Sequence, residues 1–197
     1  EISTRDWSSD VCSSDLVDHN PITDSQCIQA IKLIETSLRE AVANGHNLEA
    51  RTHMVEAEML AGMAFNNANL GYVHAMAHQL GGQYDAPHGV CCALLLPYVE
   101  EYNLIACPER FAELAKIMGE NTDGLSTLDA AELAIKAMKQ LSEDVGIPHS
   151  IKEIGAKIED FEHMATNALK DGNAFSNPRK GTKEDIIKIF QAAYDAK

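Results

Sequence analysis

Three of the chain's eight histidines fall between residues 74 and 88, in the stretch HAMAHQLGGQYDAPH. Neutral imidazole nitrogens suit borderline divalent ions such as Zn²⁺ and Fe²⁺. His74 and His78 lie four residues apart, so a helix would present both on one face, about one turn apart. Ala75 stands where a zincin metalloprotease needs glutamate, which argues against that class of hydrolase. His88 follows a turn-rich gap, behind Pro87 and ahead of Gly89, where a rigid and a small neighbour leave an imidazole accessible. Spacing alone leaves two readings open: ligands of one ion, or helical histidines serving as ordinary core and surface residues. His46, His53, His149 and His163 are expected at the surface.

Helices must carry these rings. After Asn20-Pro21, residues Ile28, Ile31, Ile34, Leu38 and Val42 trace one apolar stripe that ends at Gly45. NLEARTHMVEAEMLAGMAFNNANLG predicts a second helix rich in small residues, and GYVHAMAHQL a third, ended by Gly81-Gly82. QYDAPH reads as a loop, and GVCCALLLPYVEEYNLIA as a buried apolar helix kinked at Pro97. PERFAELAKIMG opens on Pro108 and closes at Gly119. A stripe through Leu128, Leu133, Met138 and Leu141 precedes Gly146. Two last helices follow in IEDFEHMATNALKDG and TKEDIIKIFQAAYDA, the latter with Thr182 as N-cap. Strand-like alternation, a repeat and a glycine-rich phosphate loop are all missing from the sequence. The expected fold class is all-α, and any nucleotide-binding sheet lies outside this chain.

Bulk properties narrow the function. The 197 residues, 45% apolar and 23% charged, are those of an ordinary soluble domain. A net charge of −14 repels polyanions and so argues against nucleic acid and anionic membranes as partners. No apolar run reaches the roughly 18 residues of a membrane span, and no signal peptide is visible. The five cysteines include the adjacent Cys91 and Cys92 but no CxxC pair, which fits a reducing cytoplasm and neither a disulfide framework nor a cysteine-based zinc site.

Residues 1–16, EISTRDWSSDVCSSDL, have no hydrophobic period. Read back into codons, RDWSSDVCSSDL matches much of a common sequencing-library adapter translated in frame. The segment is expected to be adapter-derived and disordered, with the natural sequence continuing upstream of Val17. Residues 17–197 then make up the helical domain.

FNNANLGYVHAMAHQLGGQYDAPHGVCCALLLPYVEEYN resembles the signature of the iron-containing (group III) alcohol dehydrogenases. NPITD at 20–24 and the tail ALKDGNAFSNPRKGTKEDIIKIF are similar to the same family, so the resemblance spans residues 17–197. GYVHAMAHQLGG and DGNAFSNPRKG are most similar to its 1,3-propanediol dehydrogenase and NAD-dependent methanol dehydrogenase branch. The resemblance implies the helical C-terminal domain of a dehydrogenase whose N-terminal α/β domain, absent here, binds NAD(P). It implies His74 and His88 as metal ligands for Fe²⁺ (or Zn²⁺). His78 becomes the histidine that faces nicotinamide and substrate and relays a proton, not a ligand. Phe65 and Asn173 are implied to line the substrate pocket. The implied reaction moves hydride between a small primary alcohol or diol and NAD(P), in an enzyme that is homo-oligomeric at full length.

In that family an aspartate and a third histidine, four apart and ahead of the NPITD stretch, complete the metal site. This sequence holds no such segment. Asp15 and His19 have the spacing, but Asp15 lies in the adapter-like stretch and His19 directly precedes Asn20-Pro21, where helix is disfavoured. The chain by itself is therefore expected to be inactive and to bind metal weakly. Two readings compete: a self-contained helical metal-binding protein, and a non-enzymatic helical interaction module. Glycerol dehydrogenase and dehydroquinate synthase-like enzymes share the architecture, and the NPRKGTKED tail separates this chain from them.

Overall fold

The first helix of the described residues, α1 (Pro21–Ala43), starts where Asn20-Pro21 requires. The Asn20 side chain accepts from the amides of Ile22 and Thr23, and the Thr23 hydroxyl accepts from the Asn20 amide at 2.9 Å. The proline occupies the first helical position, where its missing N–H costs no hydrogen bond. The computed structural model describes residues 19–196. The adapter-like segment 1–16, with Asp15, lies outside the described residues.

Seven further helices follow: α2 (Leu48–Ala68), α3 (Tyr72–Tyr84), α4 (His88–Asn103), α5 (Pro108–Ile117), α6 (Thr127–Asp144), α7 (Phe161–Ala168) and α8 (Lys183–Asp195). Short 3₁₀ turns link them, and no strand occurs among the described residues, so the all-α expectation holds. Every buried residue of α2 is an alanine (50, 57, 61, 64 and 68), which lets α1 and α2 pack closely. Apolar α4 is the hub, touching α3, α6 and α8. Its Leu95, Leu96 and Val99 join Met76, Leu80, Met138, Phe161 and Phe190 in one continuous core. Thr182 caps α8 in a reciprocal box with Asp185, as its sequence predicts.

Several local expectations need correction. Helix α3 does not stop at Gly81-Gly82 but runs to Tyr84, and only residues 85–87 form the loop. Glycine inside a helix costs only about 1 kcal/mol. Here Asp85 supplies the left-handed cap at φ 53°, and the Tyr84 hydroxyl donates to Asp160 Oδ2 at 2.6 Å. Helix α4 does keep Pro97 inside its span, as the sequence predicts. On α6 the buried face runs through Ala131, Ala134, Ile135, Met138 and Leu141, leaving Leu128 exposed. On α1, Val42 is likewise exposed, and Cys27, Ala30 and Ala41 extend the buried face instead. The stripes were right at their centres and displaced at their ends, where small residues do the packing. The segment His88–Ala106 is also, by length and mean hydropathy, apolar enough to cross a membrane, contrary to the count of uninterrupted apolar residues. Two-thirds of it is buried against neighbouring helices, as in a core helix.

A buried polar clamp ties the C-terminal tail to the ends of α3 and α4. Asn177, fully buried, exchanges side-chain hydrogen bonds with buried Asn103 at 2.7 and 3.3 Å. Its Oδ1 also accepts from the Tyr72 amide at the start of α3, and its Nδ2 donates to the Arg179 carbonyl. The Ser176 hydroxyl donates to the Leu70 carbonyl. The Arg179 guanidinium lies 3.9 Å from the centre of the Tyr102 ring and donates to the Tyr102 carbonyl. Gly181 donates to the Tyr72 hydroxyl, and a Cβ there would meet the Tyr102 hydroxyl at 3.0 Å, so glycine lets the tail press against both tyrosines. The clamp generates a stability prediction. Asn177→Ala takes the side-chain acceptor from the Tyr72 amide and removes both hydrogen bonds to Asn103, and should lower unfolding free energy by about 2–3 kcal/mol in urea titration. A change near zero would show the clamp to be ornamental.

Candidate functional site

His74 stands in the first turn of α3, just beyond the point where the clamp fixes Tyr72, and His78 one turn later. The short loop 85–87 reverses the chain so that His88 opens α4 beside them. The three rings converge: centroids are 5.3 Å apart for His74 and His88, 5.4 Å for His78 and His88, and 6.5 Å for His74 and His78. His88 therefore lies nearer to His74 than its helical neighbour does. That favours the His74–His88 pairing over the pairing that i, i+4 spacing suggests.

Burial separates their chemistry. His74 is buried, while His78 and His88 are exposed. Burial first, then the neighbouring His88 and His78 rings, pushes the His74 imidazole down to about 3, against an opposing pull from Asp171. A ring held neutral is the form that binds a metal ion, so this site fits the divalent ion the sequence implies.

His78 Nδ1 lies 2.7 Å from Asp171 Oδ2. Burial pulls the Asp171 carboxyl upward, but hydrogen bonds from His78 and from the Asn173 amide, with the charge of His78, outweigh it and hold the group below its ordinary value. Asp171 is thus an anionic acceptor, and it selects the His78 tautomer that carries its proton on Nδ1. Asn173 donates to Asp171 Oδ1 from both its backbone amide and its side chain, each at 2.9 Å. Phe65, half-buried, sits near the end of α2. Among the described residues, no ring contact joins it to the three histidines.

Two residues of the cluster escaped the sequence. Asp171 lies 93 residues from His78, and no local signal could couple them. Cys92 had a signal: it follows His88 by four positions on an apolar helix. Its Sγ lies 3.5 Å from His88 Nε2, and one ligand atom each from His74, His88 and Cys92 lies within 4.8 Å of the others. Adjacent Cys91 is buried in the core, where desolvation pushes its thiol up to about 11. The other histidines stay apart. His19 meets Asp24 and Arg110, His53 bonds Ser37, and His163 bonds Asn167. His53 is half-buried and not fully exposed as its position suggested.

The buried ring sets an acid dependence. Folded His74 stays neutral down to about pH 3, whereas an unfolded chain protonates it near 6.5. The unfolded state takes up the proton first, so stability is lost as pH falls below about 6.5 and continues to drop toward 3. Urea midpoints of the metal-free chain should therefore fall more steeply across that window than those of His74→Leu. Parallel slopes would contradict the buried neutral assignment.

Comparison with known proteins bears on the family and the fold. Residues 16–194 match the family described as "Fe-containing alcohol dehydrogenase family, C-terminal". The chain is 65% identical over 177 residues to a 1,3-propanediol dehydrogenase of Citrobacter freundii, covering 90% of this chain and 46% of that protein. It is 49% identical over 173 residues to an NAD-dependent methanol dehydrogenase of Bacillus methanolicus, covering 88% of this chain and 45% of that protein. The solved structure of an alcohol dehydrogenase from Oenococcus oeni superposes with a TM-score of 0.94 at 87% identity, over 95% of this chain and 49% of that one. The chain thus spans about half the length of the relatives it matches. A match along nearly all of its helices means that this protein belongs to the iron-containing alcohol dehydrogenase family, through that family's C-terminal helical domain.

Proposed function

We propose that this chain is the metal-binding half of an NAD(P)-dependent alcohol dehydrogenase that interconverts a small primary alcohol or diol and its aldehyde. The observation that carries the reading is the convergence of three imidazoles, with an anionic carboxylate behind one of them. His74 and His88 would hold Fe²⁺ (or Zn²⁺), together with donors supplied from outside this chain. A bound ion would supply Lewis-acid polarisation of an alcohol oxygen, and a nicotinamide held by a separate α/β domain would supply the hydride acceptor.

The remaining chemistry belongs to this chain's own residues. His78 donates a hydrogen bond from Nδ1–H to the Asp171 carboxylate, which leaves Nε2 to accept the proton released by the alcohol. Asp171 stabilises the imidazolium as it forms, and Asn173 fixes the carboxylate through two hydrogen bonds. The His78 side chain is 42% exposed, so the proton has a route to water. Asn173, expected to line the substrate pocket, is assigned here to positioning Asp171, and Phe65 to an apolar pocket wall. The names of the relatives support small alcohols and NAD as partners. The full-length enzyme is proposed to be a homo-oligomer.

The test uses the full-length enzyme, with this chain joined to its nucleotide-binding half, assayed with 1,3-propanediol and NAD⁺. Activity should be abolished by a chelator and lowered on the order of 100-fold or more by His74→Ala or His88→Ala, at least the loss seen when a metal ligand's supporting contact is removed. Asp171→Asn should lower kcat by about 100-fold while KM changes far less, as expected for a group acting on proton transfer. The 197-residue chain alone should show no turnover. Turnover by that chain, or full activity in both histidine variants, would overturn the assignment.

A further inference from the structure

We infer that the outer face of α2 is a docking surface for the half of the family's polypeptide that precedes α1, and that a largely apolar segment of that half lies along it. The inference rests on family membership and on the fold, and is independent of the reading of the histidines.

Helix α2 turns four of its large apolar side chains outward. Its buried side consists of the five alanines, and α1 is its one substantial neighbour among the described residues. On the opposite side Leu48, Val55, Met59 and Met63 are between 49% and 76% exposed. At about 100° per residue these four, with Thr52 and Gly62, fall within an arc of about 100° and a length of about 22 Å. Every charged residue of that span (Glu49, Arg51, Glu56 and Glu58) lies outside the arc. A Cβ added at Gly62 would meet nothing within 4 Å, so a second backbone has room to approach closely. An uninterrupted apolar face of this width is what a helix ordinarily buries.

Chain length and chain entry point to the occupant. This chain spans 49% of the Oenococcus oeni structure and 46% of the Citrobacter freundii dehydrogenase, and it matches the C-terminal part of the family. A comparable length of polypeptide therefore precedes α1 in such proteins. Helices α1 and α2 form an antiparallel hairpin, held in register by the 2.8 Å hydrogen bond between Ser37 and His53. About ten residues further on, in opposite directions, Cys27 stands level with Met63. The polypeptide thus reaches α1 beside the C-terminal end of the stripe. A second copy fits worse. Parallel or antiparallel, a symmetric pair centred on the stripe sets Glu56 against Glu56 or Glu58 of the copy, and like charges across an interface oppose it.

The experiment uses the full-length enzyme, with this chain joined to its upstream half, and reads neither metal nor turnover. In the unsubstituted enzyme, hydrogen peroxide should oxidise Met59 and Met63 at least about tenfold more slowly than in urea, close to the fully buried Met76 and Met138. In the 197-residue chain, shown to be helical by circular dichroism, the same two methionines should react at nearly the rate found in urea. Illumination of Val55→p-benzoylphenylalanine in the full-length enzyme should give a product of single-chain mass on a denaturing gel, cross-linked to a peptide ahead of α1. Oxidation of Met59 and Met63 in the full-length enzyme at the rate found in urea would overturn the inference, and so would their protection in the 197-residue chain. A product of doubled mass would overturn it in favour of a second copy. A cross-link confined to residues 19–196, or none at all, would also overturn it.

Discussion

The buried amide clamp around Asn177 is the constraint on which the site's geometry depends. A fully buried side-chain amide must find partners or forfeit its hydration. Asn177 finds them at three places: Asn103 at the end of α4, the Tyr72 amide at the start of α3, and the Arg179 carbonyl of its own tail. His74 is two residues beyond Tyr72, and Asp171 is six residues ahead of Asn177. One network therefore fixes the helix that carries two histidines and the turn that carries the carboxylate. It also fixes the far end of the helix that begins with the third histidine. Its parts are amides and carbonyls, whose preferred directions are narrower than those of apolar contacts. That suits a site in which displacements of about 1 Å matter.

Within the site, one gradient of burial gives similar side chains different roles. His74 is enclosed, and desolvation removes its charged form from the physiological range. His78 is open to water yet anchored by Asp171, an arrangement suited to taking up and releasing a proton. Cys91 and Cys92 on α4 are both fully buried and differ in their neighbours instead. The first is sunk among leucines and alanines as a protonated thiol, while the second turns toward an imidazole. Neighbouring positions on a helix differ by about 100°, so adjacent cysteines cannot share an environment.

Much of the fold was readable because helix formation and termination are local. Thr182 acts on amides within three residues, and the structure bears out that cap, while Asn20 caps α1 in the same way. Gly81-Gly82 misled because a helix tolerates glycine when tertiary contacts hold its next turn, and the Tyr84–Asp160 bond spans 76 residues. Leu128 and Val42 misled because amphipathic counting favours large side chains, whereas these helices pack closely through alanine. The histidine cluster was legible as three residues of the right type. The partners that give them their character were not.

The sequence by itself determined the helices and their order, the acidic surface, and a family resemblance centred on the GYVHAMAHQLGG block. All of these depend on residue type and short-range spacing. The tertiary structure alone decided that His88 sits closer to His74 than His78 does, that Asp171 stands behind His78, and that Cys92 and not Cys91 reaches the cluster. Each of those facts depends on how whole helices are placed against one another. That placement is set by core packing and by a buried polar network between residues up to 105 positions apart, which no local pattern encodes.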